Sequence, residues 1–404
     1  MIGPSRWCLA VLLAGWLGPG HALGQIDPVK RELLQFGYNG AFEGHSPLAA
    51  YAFYYLNRPG FLETNMTLRL AVAPTYLDSE LGIKHVLGEL TDLGIGVAGG
   101  GYADSYYEIR GGKYIPSESF DGYGGETSLS LYHLFNPGQQ IPLNGMLRGI
   151  AHFSTYDTLE QTAPGFSLPD NHGTLNVRTG LRFGGREPTL FPSLAMELSV
   201  WYEGMFRTRN QTYGFGDRQL EPHSHLVWAE ALLAYTFPEL KHSFYLNLTA
   251  GTSVDADRFS AYRLGALLPM ASEFPLSLPG YYYQEISASR FVLLGGNYIV
   301  PLDQHQRWNV SVTAATSGVD YLRGLEQPGH WHSGVGAGVF YTTPSWRVMV
   351  GYGYGVDAIR SGGRGAHSIG ILVQLDLAHA KEVFYNESPS QFRGLQRIFG
   401  VLGS

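Results

Sequence analysis

Beyond its amino terminus the sequence holds no uninterrupted apolar stretch of the roughly 18 residues that a membrane-spanning helix needs, which excludes a helical membrane protein. Its only cysteine, Cys8, lies in an amino-terminal leader, so the mature chain has neither a disulfide nor a thiolate metal site. Charge is sparse, at 15% of residues, and the formal net charge is -7 with no cluster of Lys and Arg, which argues against a nucleic-acid partner. Phosphate-loop, zinc and EF-hand patterns are missing, and no cofactor is expected.

The leader has Arg6, an apolar run over residues 7–17, the break Gly18-Pro19-Gly20 and small residues ending in Ala22-Leu23-Gly24. That order predicts a signal peptide over 1–24 and a mature chain beginning near Gln25, hence export. A short lead over 25–33 leaves no room for a periplasmic domain before the first strand. At the other end, residues 381–404 follow the last strand. There Phe392, Leu395, Phe399 and Leu402 recur at helical spacing, as in a short periplasmic amphipathic helix; a loosely ordered tail is the alternative.

What is abundant is glycine, 53 of 404 residues, and tyrosine, 26, in a pattern of period two. Met66, Leu68, Leu70 and Val72 alternate with Asn65, Thr67, Arg69 and Ala71. Leu175, Val177, Leu181 and Phe183 oppose Asn176, Arg178 and Arg182, and Ile369, Ile371, Val373 and Leu375 oppose Ser368, Gly370 and Gln374. One oily and one wet face, repeated in segments of about ten residues, is the pattern of a transmembrane β-barrel. Short turns near 136–142, 185–192, 238–241, 301–306 and 343–344 alternate with long connections over 104–121, 157–173, 208–222, 318–330 and 357–366. The parity holds only if residues 255–283 are one long connection, despite a strand-like segment at 259–268. The predicted fold is therefore all-β: an antiparallel barrel of about sixteen strands over 34–380, in the outer membrane of a Gram-negative-type bacterium, with lipid as its first partner.

Within that long connection stands Leu276-Ser277-Leu278-Pro279-Gly280-Tyr281-Tyr282-Tyr283. Pro279 sets its own φ and Gly280 permits a positive one, so the backbone reverses and displays tyrosines. Gly334, Gly336 and Gly338 alternate with apolar residues, as do Gly351, Gly353 and Gly355. Both rows face the lumen if the apolar residues face lipid, leaving a trough that another backbone can approach. Leu278, Pro279, Gly280 and Tyr281 are thus expected to fold inward as a plug, with Gly336, Gly338, Gly351 and Gly353 as its bed. The alternative is that the glycines accommodate strand curvature.

Three stretches carry a likeness to a known family: Tyr262-Arg263-Leu264-Gly265-Ala266, then Leu278-Pro279-Gly280-Tyr281, then residues 289–302, which end Asn297-Tyr298-Ile299-Val300-Pro301-Leu302. Their order resembles the barrel of the BamA/TamA-like outer-membrane assembly superfamily, also called the bacterial surface antigen family. In that family an aromatic-x-Leu-Gly-Gly segment, a Val-Arg-Gly-aromatic tip and a strand ending in aromatic-x-x-Pro-Leu follow one another. The resemblance implies a non-enzymatic barrel that assists protein insertion or translocation, with unfolded outer-membrane or secreted proteins as clients. It also implies a weak seam, with few hydrogen bonds, between a first strand near 35–43 and a last strand near 368–377. Two departures stand out: Pro279 replaces the tip arginine that anchors the loop to acidic wall residues in relatives, and the POTRA repeats that receive clients are missing. Ser368, Gly370, Val373 and Leu375 resemble the signal by which barrel substrates are recognised for assembly.

Two other classes are weighed beside this one. A passive plugged channel or small-solute transporter needs the same barrel and loop. A lipid hydrolase would use His152 and Ser154, which share a strand face, although Thr155-Tyr156 stand where outer-membrane phospholipases carry Asn-Gly. His45-Ser46 lacks the second glycine of a nucleophile elbow. The pairs His223/His225 and His330/His332 read as interfacial or loop polar residues.

Overall fold

A computed structural model describes residues 26–185, 190–270, 274–360 and 363–379. The predicted signal peptide and carboxy-terminal helix lie outside the described residues. Seventeen strands make one sheet; one of them, Tyr262–Leu264, is a three-residue segment laid against the start of a longer strand, which leaves sixteen in the wall. In chain order these are β1 Arg31–Ala41, β2 Ala49–Pro59, β3 Met66–Val72, β4 Tyr76–Ile83, β5 Thr91–Gly100, β6 Phe120–Leu134, β7 Leu143–Thr158 and β8 His172–Gly185. The second half comprises β9 Leu194–Arg207, β10 His223–Thr236, β11 Ser243–Val254, β12 Ile286–Pro301, β13 Trp308–Tyr321, β14 Trp331–Thr342, β15 Trp346–Arg360 and β16 Gly363–Asp376.

Each strand pairs antiparallel with its neighbours in sequence, and β1 pairs with β16, so the sheet closes and has no free end. The chain is a transmembrane β-barrel. Alternation sorts the two faces: Leu129, Leu175, Val200, Val312 and Val335 are exposed on the outside, while Asn144, Ser199, Glu203, Asn309 and Ser311 are buried inside. Long connections gather at one rim and short turns at the other, and residues 255–285 are a single connection at the long-loop rim. The strand-like 259–268 contributes only Tyr262–Leu264, added to the top of β12 inside the parity of the wall.

Two expectations are corrected. The last connection is not long: β15 runs to Arg360 and β16 begins at Gly363, so most of 357–366 is wall. Nor is the seam thin, because β1 and β16 stay in register over nine residues, Leu33 opposite Asp376 through Ala41 opposite Ser368, as many as join β1 to β2. The seam is made by the alternating stretches themselves, residues 33–41 against 368–376, in unbroken register; Arg31 and Glu32 lengthen β1 only against β2, and Gly363 and Arg364 lengthen β16 only against β15.

Candidate functional site

Residues 255–270 and 274–285 line one excursion into the barrel and back. The excursion is braced by its own backbone: the Gly265 N–H donates to Leu276 O at 2.9 Å, Leu278 N–H to Ala266 O at 2.9 Å and Ala266 N–H to Tyr282 O at 3.1 Å. The tip is a turn across Leu278 and Tyr281 with Gly280 at φ +85°. A β-turn with a proline second and a positive φ third is one that glycine fills without strain.

The wall opposite the tip is backbone without side chains. A Cβ built on Gly280 would stand 1.8 Å from Gly355 N, one on Gly334 2.1 Å from Pro279 O, and one on Gly353 2.9 Å from Gly280 N. The ring of Tyr281 lies over Gly355, and the Gly280 N–H donates to Ser368 Oγ at 3.2 Å. Leu278 and Tyr281 are wholly buried and join Leu226, Trp228, Leu264, Leu276, Ile286 and Phe291 in the main apolar cluster of the lumen. Leu278, Pro279, Gly280 and Tyr281 therefore sit together against the inner wall.

The bed is placed differently from the sequence expectation. The tip rests on Gly334, Gly353 and Gly355. Gly336 and Gly351 are covered by Leu267, and Gly370 by Leu268. The nearest atoms to Gly338 are Met349 Cε and Ser311 Oγ, both of the wall, so Gly338 holds no part of the loop. The strands are tilted and the loop descends only part of the way, so its contact runs diagonally across the rows and leaves their lower end free.

An ion pair that the sequence did not disclose anchors the loop. Glu285, on the returning limb, accepts from Arg360 of β15 at 2.8 Å and 2.9 Å and from the Tyr282 N–H at 2.7 Å. The Arg360 guanidinium lies 3.7 Å over the Tyr282 ring and is 3.4 Å from Gly280 O. With Pro279 at the tip, the cation stands on the wall and the acid on the loop. Buried charge is tolerated here because every carboxylate oxygen and one face of the guanidinium are occupied. Arg360 falls in the stretch read as a polar connection, and its partner is 75 residues away, so no local pattern announces it.

The same loop reaches both strands of the seam. The Leu267 N–H donates to Asn39 Oδ1 of β1 at 2.9 Å, and Tyr282 Oη to Glu43 O just beyond β1 at 2.8 Å, while Ser368 and Gly370 belong to β16. His332, expected to be interfacial, is instead buried inside, held by Tyr281 Oη at 3.2 Å and Tyr321 Oη at 2.5 Å.

Across the lumen the wall of β7 to β10 is charged. Arg148, Arg178, Arg182, Glu197, Glu203 and Glu230 line a cavity of about 690 Å³ between that wall and the loop. Arg178 meets Glu203 at 2.9 Å, and Arg148 contacts Glu80. Above it, connections 101–119, 159–171 and 208–222 close over Tyr106, Phe120, Phe166, Tyr213 and Phe259. Glu108 is fully buried at its centre, accepting from Tyr106 Oη at 2.6 Å and Arg258 Nε at 3.2 Å; burial, with the Glu108 carboxylate beside it, pushes the Tyr106 phenol up.

His152 lies under this dome with Nε2 2.8 Å from Asp104 Oδ2 and Nδ1 3.2 Å from Glu126 Oε2. Both ring nitrogens are taken by carboxylates, so no lone pair is directed at Ser154 and the pair lacks the geometry of base and nucleophile. Among the described residues no three His, Cys, Asp or Glu side chains converge as a metal site.

No family model matches the sequence, and no curated protein matches it. Solved structures do match the fold. The chain superposes on CdiB from Acinetobacter baumannii with a TM-score of 0.58 at 12% identity, covering 86% of this chain and 60% of that one. CdiB from Escherichia coli gives 0.54 at 12%, covering 86% and 63%. BamA from Haemophilus ducreyi lacking POTRA domains 1–3 gives 0.52 at 10%, covering 85% and 70%. The chain thus spans about three fifths of the length of the two CdiB structures and shares the barrel fold of all three.

Proposed function

We propose that this chain is a non-enzymatic outer-membrane barrel whose inward loop closes the bore and bridges the seam, and that it assists the insertion or translocation of other polypeptides. The observation that carries the reading is the bridging. One loop bonds to Asn39 on β1 and to Ser368 on β16, so its position and the integrity of that junction are coupled. Nine register pairs hold the seam on their own, so the loop is a second lock on a junction that is already intact. The likeness to CdiB and BamA barrels supports a polypeptide client, and the long-loop rim is assigned to the cell exterior.

The test is folding of an urea-denatured eight-stranded outer-membrane barrel into proteoliposomes with and without this protein. Faster folding with the protein present supports the reading; a rate equal to that in empty liposomes removes it. A second reading, a plugged channel for small solutes, has its own support in the cavity lined by Arg and Glu. Deleting residues 276–283 should raise the conductance of planar bilayers in either case, so solute flux separates the two: a solute-dependent flux without any effect on barrel folding would favour the channel.

A further inference from the structure

The wall is not equally high all round. β3 and β4 are the shortest strands, at 7 and 8 residues, and they join through a tight turn in which Ala73 and Tyr76 exchange backbone hydrogen bonds. β2 pairs with β3 only from Tyr54, opposite Val72, to Pro59, opposite Thr67. The upper half of β2, Ala49 to Phe53, therefore rises above the turn with β1 on one side and no strand on the other.

Hydrogen-bond parity says which groups are left over. The Ala73/Tyr76 pair directs the backbone of Ala71 and Ala73 to β4, and so that of Leu70 and Val72 to β2. Val72 faces Tyr54, so the even residues of β2 point away from β1. The N–H and C=O of both Ala50 and Ala52 thus aim into a notch of about 670 Å³, floored by Pro74 and Thr75 and bounded across by Tyr102 and Ala103. No backbone or side-chain partner meets them among the described residues.

Comparable overhangs elsewhere are closed. On β6, Phe120 exchanges bonds with Tyr106 at 3.0 Å and Gly122 O accepts from Asp104 N–H. The top of β12 carries Tyr262–Leu264, and His367 of β16 is met by Phe42 and Glu43. Depth makes the open edge consequential. The hairpin joining β1 to β2 ends in Phe42, 61% exposed, and Leu48, 82% exposed, so the outer surface stays apolar above the alanines, as a face turned to lipid requires. Open sheet edges facing lipid are not tolerated there, because lipid tails offer no hydrogen bonds. Polypeptide backbone does.

We propose that the β2 edge at Ala50 and Ala52 is a docking site for an extended polypeptide segment, which adds to the wall as a strand between β2 and the 101–103 loop. The site is separate from the seam. The two alanines turn small side chains outward, so an added strand meets no bulky neighbour on the lipid side. The proposal rests on the client reading only for the source of the strand; the edge itself stands on strand length and parity.

Cys8 is the only cysteine of the sequence, so in a chain expressed from Gln25 onward Ala52→Cys and, on a strand paired on both sides, Ala229→Cys each introduce a single thiol. Each variant in nanodiscs is mixed with a peptide of sequence 368–377 carrying an amino-terminal cysteine, under copper-phenanthroline oxidation. The expected result is at least about tenfold more mixed disulfide at position 52 than at position 229. Adding Ala50→Pro, which deletes an edge N–H that β1 does not use, lowers the yield to the control level. Thr75→Trp, which fills the notch from its floor and leaves β2 unchanged, does the same. Equal yields at the two positions, or a yield indifferent to both blocking variants, would overturn the site. A labelled edge in a protein that fails to accelerate barrel folding would retain the site and remove the client reading.

Discussion

The two sides of the lumen are built on opposite plans. The wall of β14 to β16 presents Gly334, Gly336, Gly351, Gly353, Gly355 and Gly370, and there the loop lies within contact distance, by backbone at Gly334, Gly353 and Gly355 and by Leu267 and Leu268 at the others. The wall of β7 to β10 presents Arg148, Arg178, Arg182, Glu197 and Glu203, and there a cavity of about 690 Å³ separates wall from loop. A face without side chains exposes its ladder to another backbone, and dry contact follows. A face of long charged side chains keeps its own solvent and its own pairs. The same alternation of oily outside and non-oily inside thus yields a dry docking surface on one side and a wet cavity on the other, according to whether the inward residue is glycine or charged.

That contrast breaks most readily at the buried ion pair. Arg360→Ala leaves Glu285 buried without its counter-ion, and about 3–5 kcal/mol of loop anchoring is lost. Urea unfolding in detergent, with conductance beside it, reads the loss. The double variant Arg360→Met with Glu285→Leu is expected to recover most of it, because an apolar pair needs no desolvation. Next is Gly280→Val, which meets both a positive φ and the Gly355 backbone at 1.8 Å. A loss of about 2–4 kcal/mol and a raised current are expected, the tip being unable to seat.

Two alanine substitutions sharpen the boundary of the bed. Gly334→Ala places a methyl against Pro279 O and should cost about 1–3 kcal/mol. Gly338→Ala meets the mobile end of Met349 at 3.2 Å, Ser311 Oγ at 3.2 Å and Val350 O at 3.3 Å, wall atoms that need give by only a few tenths of an ångström, so thermal unfolding should change by less than about 1 kcal/mol. If glycine served curvature alone, the two would behave alike. The charged side reads a different quantity: Arg178→Gln removes the cation but keeps an N–H donor for the buried Glu203 beside the cavity, so it should alter ion selectivity more than stability.

The barrel was legible in the sequence because period-two alternation is local: each strand declares its two faces within ten residues. The turn at Pro279-Gly280 and the glycine rows were legible for the same reason, each being a local departure from what a strand wants. Leu267, Leu268, Glu285 and Arg360 were not. Leu267 reads as part of a strand-like run, and its place over Gly336 and Gly351 depends on where the loop enters. Arg360 looks like loop polarity until the β15 ladder is seen to run through it. Gly338 was over-read, because a repeat of glycines says that a backbone can approach, not how far along the row it does so.

The central claim is that the tip of the 255–285 loop lies on the glycine wall inside the barrel. The distance from Pro279 Cβ to a Cβ built on Gly353 is 3.3 Å, close to the separation of about 3.5–4.5 Å that a disulfide spans. The most direct measurement is therefore disulfide formation in a chain expressed from Gln25 onward, which lacks Cys8 and so holds no other cysteine, carrying Pro279→Cys and Gly353→Cys, in detergent or lipid. The bond should form under mild oxidation and hold the conductance at its closed level. Two thiols that stay reduced and both react with a bulky maleimide would contradict it.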